Sequence, residues 1–192
     1  MSIPKLTNPP HISLSLSLSL MEQNSEQNSQ PKWEWKVSTN LKHASADQIW
    51  LLFKDFFNLH KWFPSLPTCC GIHGTNGEVG CIRYCSGGRL ASQGGDSPVS
   101  WSTERLTAVD PVERMISYEI VDCNVGFKSY VSTVKIVPGG GGDGKDEGCV
   151  IEWSVTVDPV EGWRLEDLVK RYQLALESMA EKMEDDLSRK LG

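Results

Sequence analysis

The 192-residue sequence predicts an α+β domain in which one curved antiparallel sheet packs against a long C-terminal helix. Three observations lead to this prediction. Several runs of alternating apolar and polar residues, typical of half-buried strands, are separated by turn-forming residues. A helical pattern with a capping signal follows the first run. The chain ends on a much longer amphipathic helical pattern, around which such a sheet can wrap.

The first strand and two short helices are predicted early in this domain. Residues 33–39 alternate large apolar and polar side chains, as a strand with one buried face does. Ser45 can cap a helix, and Gln48 lies three residues later, which is the spacing of a capping box. Apolar residues at helical spacing follow, and Pro64 ends the region. We expect a short second helix within residues 58–63.

Six further strand-like runs bring the predicted sheet to about seven strands. Gly, Asn, Asp and Pro residues between the runs are strong turn signals, so the runs read as an antiparallel meander. The last run is the clearest, because apolar residues occupy every second position throughout. The six runs are residues 70–73, 80–86, 99–108, 114–122, 127–137 and 149–157.

The final element is predicted as one amphipathic helix of about 26 residues. Apolar side chains recur every third or fourth residue from Leu165 to Leu187, and charged residues fill the other faces. At 1.5 Å per residue such a helix is roughly 39 Å long, which is enough to cross the whole sheet. The order of elements predicts one layered domain over residues 33–192.

Residues 1–32 differ in composition from the rest of the chain. Residues 12–20 alternate Leu and Ser, and an exposed strand of this kind would be prone to aggregate. The pattern fits neither a secretory signal nor a transit peptide well. We interpret residues 1–32 as a disordered or mis-annotated N-terminal extension, with Met21 as the candidate start of translation. A functional targeting segment is the alternative.

Composition excludes several classes of protein. The chain has 19 Lys+Arg against 25 Asp+Glu, a formal net charge of −6, and no basic cluster, which argues against nucleic-acid binding. No apolar run reaches the roughly 18 residues needed to span a bilayer. The six Cys residues indicate free thiols in a reducing compartment, so we expect a cytoplasmic protein. No metal site is predicted, and a monomer is the expectation for an oligomeric state that the sequence leaves open.

Five short strings carry a closer signal. They are FFNLHK at residues 56–61 followed by PSL at 64–66, GCIRY at 80–84, WSTERL at 101–106, GFKSY at 126–130 and VEG at 160–162. In this order they look like the strings of the lachrymatory-factor synthase family and its plant homologues. The order of elements resembles the helix-grip fold of the wider START/SRPBCC superfamily, which includes the Bet v I-type and polyketide-cyclase families. Members of that superfamily enclose an apolar cavity that takes small hydrophobic molecules.

The resemblance implies a set of cavity residues. In the synthase family an arginine, a glutamate and a tyrosine of these strings are associated with catalysis, and here they correspond to Arg83, Glu104 and Tyr130. To these we add Trp153 and Tyr172 as ligand-binding residues, on the apolar faces of the last strand and of the long helix.

Strand alternation supports the three catalytic candidates unequally. Tyr130 has the parity of Val134, which favours an inward side chain. Glu104 has the parity of Leu106, so an inward position is allowed but not required. Arg83 lies on a strand whose alternation is ambiguous, and there only the resemblance places it in the cavity.

Two functions follow from the resemblance. The first is a cofactor-free isomerase that converts an alkenyl sulfenic acid to a thial S-oxide. Glu104 would accept and return the proton, Arg83 would hold the oxygen, and Tyr130 would orient the substrate or relay the proton. The second is a non-enzymatic carrier or sensor of a small hydrophobic metabolite. Purely structural roles, an Arg83–Glu104 ion pair and a buried Tyr130, stay open.

A receptor of the abscisic-acid type is the weaker alternative. The gate-loop strings of those receptors are not found within residues 86–99 or 112–117.

Overall fold

Seven antiparallel strands form one sheet, in the order β1-β7-β6-β5-β4-β3-β2. The structure is a computed structural model that describes residues 30–89, 98–139 and 148–191. Its strands are β1 Trp33–Leu41, β2 Thr68–His73, β3 Ile82–Arg89, β4 Val99–Asp110, β5 Met115–Cys123, β6 Val131–Pro138 and β7 Cys149–Val157. The predicted α+β class and the count of about seven strands are confirmed. Nearly all of the predicted N-terminal extension, including Met21, lies outside the described residues.

The described residues of the domain also form three helices, and two of them carry the chain across the sheet. They are α1 Ala46–Lys54, a 3₁₀ helix Phe56–Lys61 and α2 Leu165–Leu191. Because β1 and β2 form opposite edges of the sheet, the segment between them must cross from one edge to the other. Helix α1 and the 3₁₀ helix lie in that segment. Strands β2 to β7 then follow as consecutive antiparallel neighbours, as the meander prediction requires.

The predicted capping box of α1 is confirmed. The Gln48 backbone N–H donates to Ser45 Oγ over 3.3 Å, and Ser45 N–H donates to Gln48 Oε1 over 2.9 Å. The second short helix begins two residues earlier than expected and is a 3₁₀ helix. Asp55, between the two helices, accepts a hydrogen bond from the Asn58 side chain. The backbone of Asn58 has non-helical angles. The chain therefore turns tightly here and does not extend α1.

Strand β6 begins at Val131, so the predicted start at residue 127 is wrong by four residues. Gly126 and Ser129 both have positive φ angles, 82° and 51°, which an extended strand does not allow. The Ser129 hydroxyl donates to Asp158 across 2.9 Å and holds this turn in place. Tyr130 consequently lies just before β6. It is nevertheless buried, on the side that its parity with Val134 predicts.

The core fills the space between the inner face of the sheet and α2. Along β7 every second side chain is buried, from Cys149 to Val157. On α2 the residues Leu176, Met179 and Met183 are almost fully buried against this face. The predicted long helix is confirmed at 27 residues. Within the described part of the chain, no helix is both long and apolar enough to cross a membrane.

Gly148, which precedes β7, occupies a position that a side chain would disturb. Its φ angle is 93°, and a Cβ atom would collide with the backbone oxygen of Leu41. We expect Gly148→Ala to lower the free energy of unfolding by about 3 kcal/mol, measured by urea denaturation. Gly88→Ala is the matched control, because its Cβ atom would meet no atom within 4 Å. Equal stability of the two variants would contradict the close packing of Gly148 against the Leu41 backbone of β1.

Candidate ligand cavity

A cavity of about 480 Å³ lies between the sheet, the 3₁₀-helix region and α2. This volume is within the range that small-molecule sites occupy. The five residues singled out from the sequence all contribute to its wall: Arg83, Glu104, Tyr130, Trp153 and Tyr172. The structure therefore brings together side chains from β3, β4, β7, α2 and the turn before β6. Their binding and catalytic roles stay a prediction.

Arg83 and Glu104 form an ion pair across neighbouring strands. They are directly opposite in the antiparallel register of β3 and β4. Arg83 donates from Nη2 to Glu104 Oε2 over 2.6 Å and from Nε to the same oxygen over 2.8 Å. The other carboxylate oxygen, Oε1, accepts a 2.8 Å hydrogen bond from the Ser102 hydroxyl. Both oxygens of Glu104 are thus engaged by protein donors.

The guanidinium of Arg83 is almost entirely buried. Its side chain is only 3% exposed, while that of Glu104 is 12% exposed. Nη1 donates to the Phe56 backbone oxygen over 2.9 Å, and the guanidinium carbon lies 3.8 Å from the Phe56 ring centre and 4.9 Å from that of Tyr118. Burial opposes the charge of Arg83, but the carboxylate of Glu104 raises the pKa of Arg83 above its ordinary value. Arg83 therefore keeps its positive charge.

Three tyrosine hydroxyls face the same space. Tyr130 Oη and Tyr172 Oη lie 2.9 Å apart and share a hydrogen bond, and the Tyr118 ring centre is 6.4 Å from that of Tyr130. Burial raises the pKa of all three phenols. Each hydroxyl is therefore neutral at pH 7 and can donate a hydrogen bond. We call Arg83, Ser102, Glu104, Tyr118, Tyr130 and Tyr172 the polar cluster.

Apolar side chains make up much of the remaining wall. Trp153 packs edge-on against Tyr172, with ring centres 4.9 Å apart, and its indole N–H donates to the Ser132 hydroxyl over 2.5 Å. Because that N–H is already bonded, Trp153 presents an apolar surface to the cavity. Other apolar residues of the wall are Leu59, Phe63, Leu66, Ile120, Phe127, Trp163 and Leu168.

A β-bulge lies beside Glu104. Thr103 pairs with Asp122 of β5, while the next residue, Glu104, pairs with Ile120, so Val121 is an extra residue of β5. Bulges of this kind bend and twist a strand. This one bends the sheet at the wall that carries Glu104. Val121 itself points away and is 46% exposed.

Two members of the polar cluster and one backbone contact were not predicted from the sequence. Tyr118 has the parity of Ile116 and Ile120 along β5, a signal from which its inward position follows. Ser102 has the parity of Glu104, which leads to the same inference. The contact of Arg83 with the Phe56 carbonyl has no sequence signal, because it depends on how the 3₁₀ helix packs on β3.

The architecture and this cavity agree with a family-level match. Residues 33–184 match the model of the family described as polyketide cyclase / dehydrase and lipid transport. The chain belongs to this family. The superfamily part of the sequence resemblance is confirmed.

Two curated relatives of this family member come from Arabidopsis thaliana. The chain is 32% identical over 125 residues to abscisic acid receptor PYL2, which covers 65% of this chain and 62% of the receptor. It is 30% identical over 116 residues to MLP-like protein 423, covering 58% of this chain and 67% of that protein. The match thus spans less than two thirds of the receptor's length.

Solved structures share the fold at low sequence identity. Ginseng major latex-like protein 151 from Panax ginseng superposes with a TM-score of 0.61 at 17% identity, over 82% of this chain and 98% of that protein. XoxI from Bacillus cereus superposes with a TM-score of 0.60 at 21% identity, over 80% of this chain and 94% of that protein. The predicted helix-grip fold is confirmed.

Loss of Glu104 should destabilise the folded protein. Glu104→Leu leaves the Arg83 charge buried without its partner, so we expect the free energy of unfolding in urea to fall by about 3 kcal/mol or more. Glu119→Leu is the matched control. Glu119 pairs with Arg105 between β4 and β5 over 2.9 Å, but both side chains are more than a third exposed, so its loss should cost about 1 kcal/mol or less.

A double variant separates the cost of an unpaired buried charge from the cost of altered packing. Glu104→Leu combined with Arg83→Met removes both charges and should recover most of the lost stability. Similar losses for Glu104→Leu and Glu119→Leu would contradict the view that Arg83 depends on Glu104.

Proposed function

We propose that the protein binds a small, mostly apolar metabolite in this cavity, as a carrier or sensor, and that the polar cluster holds one oxygen of that ligand. The observation that carries the proposal is the meeting of the polar cluster with a largely apolar wall around about 480 Å³. Sites for small molecules commonly have this composition, in which a few polar groups fix the orientation of an apolar ligand.

Charge balance within the polar cluster points to a neutral ligand. The positive charge of Arg83 is matched by Glu104 at 2.6 Å, so the cluster has no net charge. A ligand carboxylate would lie close to Glu104 and would meet no unpaired cation in this cluster. Of the cavity-lining residues that the structure describes, Arg171 is the other charged one, and it is exposed, with its guanidinium 5.7 Å from the Trp163 ring centre.

Hydrogen-bond donors in the cluster favour an oxygen acceptor on the ligand. Arg83 has five N–H groups, and its bonds to Glu104 and Phe56 use three of them. The neutral hydroxyls of Tyr130 and Tyr172 share one hydrogen bond, so one of the two protons is not used in that bond. A hydroxyl or carbonyl oxygen suits these donors better than a charged group does.

Two ligands with the same ten-carbon chain, one neutral and one anionic, test this proposal. We expect decan-1-ol to displace the neutral probe Nile red from the protein at pH 7 at a concentration at least about tenfold lower than decanoate does. In Glu104→Gln, which leaves the Arg83 charge unmatched, decanoate should gain relative to the alcohol. Glu119→Gln is the surface control and should behave as the wild type. Tighter binding of decanoate to the wild type would overturn the assignment of a neutral ligand.

A second candidate function is the cofactor-free isomerisation of a sulfenic acid. It is supported by the presence of a carboxylate, a guanidinium and a neutral phenol in one cavity wall, at the positions that the resemblance to lachrymatory-factor synthase implies. In this reaction one proton leaves oxygen and another arrives on carbon. Glu104 Oε1 would be the oxygen that moves the proton, because it is bonded only to the Ser102 hydroxyl, which can rotate away.

The other two side chains would have supporting roles in this reaction. Arg83 is held in its charged form and would stabilise the negative charge on the substrate oxygen. Tyr130 would act through a neutral hydroxyl, since burial raises its pKa and disfavours the phenolate.

An assay of the reaction product tests whether the protein is this isomerase. Purified protein is mixed with an enzymatically generated alkenyl sulfenic acid, and the thial S-oxide is trapped and quantified. We expect Glu104→Gln to lower the rate by about 100-fold or more, because the amide cannot take up the proton, while Glu119→Gln should leave it unchanged. If the wild type yields no more thial S-oxide than Glu104→Gln, the protein is not this isomerase, and the binding proposal is unaffected.

A further inference from the structure

Two buried thiols lie beside the polar cluster and have no part in the proposed function. Cys69 of β2 and Cys85 of β3 are free cysteines, 5% and 2% exposed, and their sulfur atoms are 3.4 Å apart. Cys85 also lines the ligand cavity. The sequence offered no sign of this pair, since the two residues are separated by a long turn and the first has a cysteine neighbour at Cys70.

The backbone already holds this pair in a geometry that a disulfide requires. Cys69 and Cys85 are directly opposite in the antiparallel register of β2 and β3. Such partners have Cα atoms about 4.5–5.5 Å apart, and disulfides form at Cα separations of about 4.4–6.8 Å. Side-chain rotation alone can therefore bring the two sulfur atoms to bonding distance.

The two thiols differ in acidity in the way that an attacking and a resolving cysteine do. Cys85 Sγ donates a hydrogen bond to Cys69 Sγ, and this bond, opposed by burial and helped by the charge of Arg83, lowers the pKa of Cys69 to about 7. The same bond raises the pKa of Cys85, which keeps its proton. A thiolate at neutral pH is the reactive form, so Cys69 is the nucleophile of the pair.

Other cysteines lack this combination. Burial raises the pKa of Cys81, and it raises that of Cys149 to about 11. Cys70 is exposed but points away from the pair, on the opposite face of β2. Cys123, the sixth cysteine, lies at the end of β5 and donates to the Phe127 backbone oxygen over 3.6 Å. The environment thus singles out Cys69 and Cys85 among the six thiols of the chain.

We propose that Cys69 and Cys85 form a reversible disulfide when the protein meets a hydroperoxide small enough to enter the cavity. The Cys69 thiolate attacks one oxygen of the hydroperoxide ROOH and the O–O bond breaks. Cys69 sulfenic acid forms, and the leaving oxygen takes up a proton and departs as the alcohol ROH, or as water when the oxidant is hydrogen peroxide. Cys85 sulfur then attacks Cys69 sulfur, an S–S bond replaces the S–O bond, and the Cys85 proton leaves with the oxygen as water. Two thiols are oxidised and one peroxide is reduced.

The new bond would tie the edge strand to the wall of the cavity. Cys69 Sγ lies 3.9 Å from the Phe56 backbone oxygen, which also accepts a hydrogen bond from Arg83. Oxidation covalently joins β2 to β3 at Cys85, two positions from Arg83. The oxidised pair is therefore a modification site beside the Phe56 carbonyl that binds Arg83 of the polar cluster.

Mass spectrometry of the full-length protein tests this proposal. The reduced wild type is treated with one equivalent of hydrogen peroxide at pH 7.5, unfolded and alkylated with N-ethylmaleimide. We expect two fewer alkylated cysteines than in the untreated protein, a tryptic cross-link between residues 62–83 and 84–89, and reversal of both by dithiothreitol. Thermal denaturation of the oxidised protein should shift upward by several degrees, since the cross-link closes a loop.

Variants assign the cross-link to the two sulfur atoms. The peptide 62–83 contains three cysteines, so Cys70→Ser and Cys81→Ser should keep the cross-link, whereas Cys69→Ser should lose it. Cys85→Ala, checked for native circular dichroism, should lose it as well. An unlinked wild type at ten equivalents of peroxide, or a cross-link that survives in Cys69→Ser, would overturn the proposal; the wild-type result needs no variant to fold.

Discussion

The buried ion pair between Arg83 and Glu104 is the interaction on which the rest of the site depends. A guanidinium that is only 3% exposed needs protein partners, and the chain supplies them from β4, β5 and the 3₁₀ helix: the Glu104 carboxylate, the Phe56 carbonyl and two aromatic rings. Buried ion pairs often add less stability than apolar residues of the same volume. A contribution to stability therefore does not by itself explain why an ion pair lies in the wall of this cavity.

One helix serves both the core and the cavity. The middle and later turns of α2 bury Leu176, Met179 and Met183 against the sheet, and this packing holds the helix in place. Its earlier turns carry Tyr172 and Leu168 on the wall of the open space. Because the same helix is packed on the core at one end and lines the cavity at the other, the position of Tyr172 relative to Tyr130 depends on packing further along the helix.

Much of the fold was predictable, and the differences have local causes. The seven strands, the capping box at Ser45 and the long helix follow from periodicity and from one short motif. The start of β6 was misplaced because Ser129, a residue without glycine's freedom, adopts a positive φ angle that its type does not reveal. The 3₁₀ helix was placed two residues late because side-chain hydrogen bonds around Asp55 determine where the chain turns.

The strands and helices and the direction of most side chains could be read along the chain, since they follow from the period of two or 3.6 within one segment. The resemblance of five short strings added the arginine, glutamate and tyrosine expected in the cavity wall. Which of these side chains meet became known only from the folded domain. Arg83 faces Glu104, Cys69 faces Cys85, and Tyr130 meets Tyr172 across 42 positions of sequence. These contacts depend on strand register and on the placement of α2, which are properties of segments packed together and leave no periodic trace in any one of them.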